Sequence, residues 1–123
     1  MNILKKELPA NKMLTARSDF VTVQSKGKRW VSNGLILQMR KNDLGIIRTG
    51  YTVTKKVDKS AVVRNRIKRR LRGVMAEVLP YAQNGYDYIL VGRKLTLTRP
   101  YNELIKDFKW CLRKTDLYKK AGD

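Results

Sequence analysis

The apolar pattern is clearest over residues 61–79, AVVRNRIKRRLRGVMAEVL. Val63, Ile67, Leu71, Val74 and Val78 recur at steps of three and four, the spacing of one helix face. At about 100° per residue they fall within roughly 80° of one another, a narrow stripe for docking on a core. Ser60 is placed to cap this helix, and Pro80 stops it. Upstream the period changes to two. Leu35, Leu37 and Met39 alternate with Ile36, Gln38 and Arg40, which predicts a strand over 35–40. Asn33-Gly34 is a hairpin signal joining it to a shorter strand over 29–32. A further strand is predicted over 45–53, with Ile47, Tyr51 and Val53 on one face and Arg48, Gly50 and Thr52 on the other. A glycine inside a strand marks close approach of another group, so Gly50 is a position to watch.

Residues 86–91, YDYILV, are apolar on both faces after Asp87 and read as an interior strand. A short helix is expected from about 19 to 25, capped by Ser18 or Asp19, carrying Phe20, Val21 and Val23 and ended by Gly27. A last helix is expected with Thr98 as cap, Pro100 in its first turn, and an apolar stripe of Tyr101, Leu104, Ile105, Phe108 and Leu112. Trp110 falls on the opposite side of that wheel. The partners of Trp110 and Trp30 are left open. Residues 1–12, broken by Pro9, read as a flexible basic arm, and 13–120 as a single domain.

Charge decides what the helix over 61–79 faces. The chain has 28 Lys+Arg against 10 Asp+Glu, a net charge of +18. Six of the nine residues 64–72 are basic, and five of those are arginine. Like charges one turn apart repel, as in Arg64/Lys68 and Arg66/Arg70. A solvated charged face would alternate signs, and only Glu77 is acidic here. A polyanion removes the repulsion, and the arginine fork suits phosphate. A membrane is the competing partner of positive charge, but no apolar run reaches spanning length and no lipidation motif is present. The single cysteine, Cys111, reads as a small core residue and fits a reducing, cytoplasmic setting.

Catalytic chemistry is poorly supplied. There is no histidine, the usual base near neutral pH and the commonest metal ligand. The acids are scattered. Glu103 and Asp107 share a helix face, but read as a helix-start charge effect and solvated acids rather than a metal site. No hydroxyl or thiol has a base to activate it, and no Walker-type loop exists. The chain reads as a nucleic-acid-binding protein rather than a self-sufficient enzyme. Strands on both sides of the basic helix argue against a helix-turn-helix. Tyr51, Tyr86, Tyr88, Phe20 and Trp30 offer faces on which unpaired bases could stack, although each alone is more often core.

The run Arg64-Asn65-Arg66-Ile67-Lys68-Arg69-Arg70-Leu71-Arg72 resembles the arginine-asparagine-arginine motif of the bacterial ribonuclease P protein subunit family. Arg48-Thr49-Gly50-Tyr51-Thr52-Val53-Thr54-Lys55-Lys56 is similar to that family's strand leading into the motif helix. Asp19-Phe20 after Leu14 resembles its first helix, and 86–91 with Arg93 its following strand. The resemblance spans about residues 14–118. It implies an α/β fold (an α+β sandwich) of the ribosomal-protein-S5-domain-2-like kind, with about four strands and a left-handed βαβ crossover. It implies a protein that partners a catalytic RNA and precursor tRNA, with the RNA and Mg2+ carrying out endonucleolytic removal of the 5′ leader. It implies no metal site and no catalytic residue in the protein, and no obligatory protein partner is evident. By position, Arg64, Asn65, Arg66, Lys68, Arg69 and Arg72 would contact the catalytic RNA, with Lys55 and Lys56 extending that surface. Phe20, Gln38 and Arg48 would lie with the leader. Asn65 and Arg66 have an alternative reading as buried structural residues. The chain departs from the family where Met13 replaces a frequent arginine, where Gln24 and Gln38 replace aromatics, and where the linker Val57-Asp58-Lys59-Ser60 lacks a glycine. The alternative function is a structural ribosomal-type RNA-binding protein, which wants the same basic surface.

Overall fold

A computed structural model describes residues 11–119. The strands are β1 (Asn11–Met13), β2 (Lys28–Val31), β3 (Leu35–Lys41), β4 (Ile47–Thr52) and β5 (Tyr86–Gly92). The helices are α1 (Arg17–Lys26), α2 (Ala61–Val78), α3 (Lys94–Thr98) and α4 (Tyr101–Lys114), with a 3-10 turn at Leu79–Tyr81. One mixed sheet runs in the order β1-β4-β5-β3-β2. β4 and β5 are parallel neighbours, and α2 carries the chain from one to the other. β5 lies inside the sheet, as its two-sided apolar run predicts.

Alternation along the strands builds two layers. Leu35, Leu37 and Met39 of β3 join Tyr88 and Leu90 of β5 on one face. Ile67, Leu71, Val74, Met75 and Val78 of α2 and Leu104, Phe108, Cys111 and Leu112 of α4 close over them. The opposite face holds a smaller cluster of Leu14, Val23 and Ile89, with Phe20 and Val91 partly buried against it. A single helix, α1, covers that face, so much of it stays open.

Several expectations are corrected in detail. The sheet has a fifth strand: Asn11 and Lys12 pair in parallel with Ile47 and Arg48. Three exposed residues, Asn-Lys-Met, carry no alternation that would reveal a strand. The rest of the proposed arm, 1–10, and the last residues, 120–123, lie outside the described residues. Helix α1 starts at Arg17, and its N-cap Ala16 gives no side-chain bond. Ser18 and Asp19 therefore do not cap it; the Asp19 carboxylate turns to Arg48 instead.

The β2–β3 hairpin forms at Asn33-Gly34, but neither residue has positive φ. Ser32 closes the turn, its Oγ donating to Leu35 O at 2.6 Å and accepting from Leu35 N at 3.3 Å. Gly34 is needed for room: a Cβ there would sit 2.4 Å from Asp107 Oδ2 and 2.5 Å from a Leu104 methyl.

Thr98 ends α3 rather than capping the last helix, which begins at Tyr101 after Pro100. In that stripe Leu104, Phe108 and Leu112 are buried, whereas Tyr101 is exposed. Asp107 is not a solvated acid. It is buried and accepts from Arg99 Nε at 2.6 Å and Nη2 at 3.0 Å. Burying the carboxylate is tolerable because the arginine fork meets both oxygens.

Candidate nucleic-acid interface

Helix α2 separates its arginines into two groups. Asn65, Arg66, Arg69 and Arg72 are exposed, and Lys68 is half-buried. Asn65 and Arg66 are therefore surface residues, not buried ones. Arg64 turns back toward the linker, its Nη1 donating to Asp58 O at 2.9 Å and Lys59 O at 2.8 Å. Asp58 Oδ1 accepts from Ser60 N, and Ser60 Oγ accepts from Val63 N. The glycine-free linker is thus a cap built from side chains, as the Ser60 reading predicts. Lys55 and Lys56 stand exposed on the turn before it.

Arg70 works inward. Its Nη1 donates to Thr96 O and Leu97 O, and its Nη2 to Arg99 O. One guanidinium thereby satisfies three carbonyls around α3. Thr96, fully buried, ties the same segment to the hairpin by donating to Gly34 O at 2.5 Å. Arg72 lies 5.6 Å from the centre of the Tyr51 ring. The sign of that contact is attractive, because a cation faces the negative face of the ring. Burial raises the Tyr51 hydroxyl pKa above its usual value.

The open sheet face forms a cleft beside α1. A cavity of about 350 Å³ is lined by Arg17, Phe20, Val21, Gln24 and Thr52, among others. The Phe20 ring lies over Gly50, where a Cβ would come within 2.7 Å of it. The glycine in the strand thus marks a close approach, as the sequence suggests. Register places Thr52 beside Val91, Val91 beside Ile36, and Ile36 beside Val31, a row crossing the sheet. A second cavity, about 430 Å³, continues along Ile36, Val91 and Lys56 toward α3. Thr52 of the first cavity and Val91 of the second are neighbours across the sheet, and Lys56 of the second stands on the turn that leads into α2.

The other two leader candidates are placed differently from Phe20. The Gln38 side-chain oxygen is buried and has no hydrogen-bond partner. Arg48 is engaged within the fold: Nε and Nη2 donate to the two Asp87 oxygens at 2.8 and 2.7 Å, and Nη1 reaches Asp19 at 3.4 Å. The hydrogen bond to Asp87 is the main cause of an Arg48 pKa above its usual value. Asp87 also accepts from Asn42 Nδ2 at 2.8 Å.

A pattern follows. Asp19, Asp87, Glu103 and Asp107 are all paired with Arg48 or Arg99. The fold pairs these acids internally, while among the described residues the cations of α2 and its linker enter no ion pair, a field that draws polyanions. Among the described residues no three of His, Cys, Asp or Glu converge as metal donors. No helix among them is long and apolar enough to cross a membrane. Sequence reasoning did not find Arg17 in the cleft, the Tyr51–Arg72 contact or the inward role of Arg70. Of the basic positions on α2, Arg64 and Arg70 lie nearest the apolar stripe on the wheel, and that was the available signal.

The family model described as Ribonuclease P matches residues 8–116. A "Ribonuclease P protein component" of Paramagnetospirillum magneticum is 42% identical over 114 residues, covering 88% of this chain and 85% of that one. The protein of the same name from Ruegeria pomeroyi is 42% identical over 107 residues, covering 83% and 84%. Among solved structures, the RNase P protein from Thermotoga maritima superposes with a TM-score of 0.73 at 23% identity, covering 84% of this chain and 96% of that one. That likeness carries the fold.

Proposed function

The chain belongs to the ribonuclease P protein family, and on that premise we propose that it is the protein subunit of a ribonucleoprotein endonuclease that removes the 5′ leader of precursor tRNA. In this reading the catalytic RNA and its Mg2+ carry the chemistry, and the protein contributes binding and orientation. The exposed row Asn65, Arg66, Arg69 and Arg72, with Lys68, Lys55 and Lys56, grips the catalytic RNA through phosphate contacts. The cleft beside α1 receives the single-stranded leader, with Phe20 as its aromatic wall and Arg17 at its mouth. Arg64 and Arg70 hold the interface in shape rather than touching RNA.

The observation that carries this reading is the continuity of two surfaces. The aromatic-walled cleft leads through the neighbouring pair Thr52 and Val91 to Lys56, on the turn just before the basic helix. A protein so built can bind a structured RNA and an unpaired strand at once. Such bivalent contact raises affinity for substrate without any reacting group of its own.

The test is cleavage of precursor tRNA at low Mg2+ with the catalytic RNA alone, the protein alone and both together. Efficient cutting at the leader junction by the pair alone is expected. Cutting by the protein alone would place an active site in the chain. A folded, RNA-binding protein that changes nothing would favour a purely structural RNA-binding role.

A further inference from the structure

Both tryptophans of this chain lie together outside the two surfaces described above. Trp30 on β2 and Trp110 on α4 are 37% and 41% exposed, and their ring centres are 6.1 Å apart at 59°. The face around them is basic. Lys114 Nζ is 5.9 Å from the Trp110 ring, and Lys106 and Arg113 flank an open cavity of about 550 Å³ beside Asn33 and Trp110. The nearby acids are neutralised: Asp107 by Arg99, and Glu103 by Arg99 and Lys106. Exposed indole faces beside Arg113 and Lys114, neither of which enters an ion pair among the described residues, suit an unpaired, polyanionic strand. A second copy of this chain would bring like charge against like, which costs association.

The position relative to the cleft identifies which strand. β2 is the outer strand of the sheet. Val31, 45% exposed, ends the row Thr52, Val91, Ile36, Val31 on the cleft face. Trp30 is the next residue back along β2, so strand alternation turns it to the α4 face. A strand leaving the cleft over Val31 rounds the sheet edge and meets the two indoles.

We propose that Trp30 and Trp110 form a stacking site for leader nucleotides lying beyond the cleft, so that long leaders gain affinity that short ones do not. This rests on the cleft being the leader's path. The chain has 2 tryptophans, so its tryptophan fluorescence reads this site alone.

The experiment uses the holoenzyme and precursor tRNAs that differ only in leader length. Long leaders should quench the tryptophan emission, and leaders too short to leave the cleft should not. Trp30→Leu with Trp110→Leu, folded by circular dichroism, should weaken binding of the long-leader substrate by about tenfold and leave short-leader cleavage unchanged. Trp110→Phe, which keeps an aromatic face, should retain most of the gain. Equal loss at all leader lengths, or no quenching, overturns the proposal. Quenching by the catalytic RNA without substrate overturns it too, as does a wild-type dimer lost in the leucine variant. If Phe20→Ala does not weaken even short-leader binding, the cleft reading has failed, which is a separate result.

Discussion

The Phe20 ring sits against the bare backbone of Gly50: a Cβ on Gly50 would lie 2.7 Å from both ring atoms Cε1 and Cζ. One helix and one strand of the cleft are thereby held at a spacing that only glycine permits. The aromatic wall is positioned by an absence in the strand opposite, which links a sequence feature to the width of the site.

Gly50→Ala should therefore damage the cleft more than the fold. Overpacking at such a contact costs about 1–3 kcal/mol, which urea unfolding would measure. The larger effect should fall on substrate: affinity for precursor tRNA drops while affinity for mature tRNA, which lacks a leader, does not. An equal loss for both would show that the cleft is not where the leader lies.

The two groups of arginines on α2 should separate in measurement. Arg70→Ala removes three bonds to the carbonyls of Thr96, Leu97 and Arg99 and should destabilise the protein by about 1.5–3 kcal/mol. Arg66→Ala and Arg69→Ala should alter stability by no more than about 0.5 kcal/mol. They should instead weaken binding to the catalytic RNA and lower the salt slope by about one each. A normal salt slope in Arg66→Ala would remove that residue from the interface.

How much of this was legible depends on the period of each element. The stripe of α2 and the alternation of β3 repeat over enough residues to set both the elements and their buried faces. Asn11–Met13 and Lys94–Thr98 are too short to show a period, and partners distant in sequence hold them: Ile47 to Thr49 for the first, Arg70 for the second. The motif residues were legible as a basic set, but charge alone does not tell a phosphate contact from a carbonyl clamp. Arg64 and Arg70 read like their neighbours until the backbone around them is placed. Asp87 and Asp107 read as scattered acids because their arginine partners, Arg48 and Arg99, become visible as partners only once the strands and helices pack.

Cys111 gives a pH dependence with a definite sign. Burial, the largest cause, pushes its thiol up from 9.0 to about 11, with Asp107 adding to the rise and a hydrogen bond with Ser32 opposing it. The unfolded thiol loses its proton at lower pH than the folded one. The contribution to stability is therefore fully present below about pH 9 and is lost as pH rises toward 11. Urea unfolding midpoints across that window should fall less steeply for Cys111→Ala. Tyr88, also raised by burial, leaves a residual slope. In the native protein at pH 8 the thiol should react with a disulfide reagent only on unfolding.

The Arg48–Asp87 pair decides whether Arg48 is a strut or a leader contact. Asp87 is 2% exposed and meets both Arg48 Nε and Nη2, while Asp19 holds Nη1. Removing one partner of a buried pair costs about 3–5 kcal/mol, and residual contact with Asp19 puts Asp87→Ala at the lower end. Arg48→Lys keeps the charge but cannot make the two parallel bonds, so it too should lose stability. If Arg48 is a strut, both variants unfold earlier in urea yet bind long-leader precursor tRNA normally at low temperature, where they remain folded. If Arg48 reaches a leader phosphate, Arg48→Lys should lower leader-dependent affinity while Asp87→Ala, which frees the guanidinium, should raise it. Opposite signs in the two variants can arise only from direct contact, because loss of a shared strut moves both the same way.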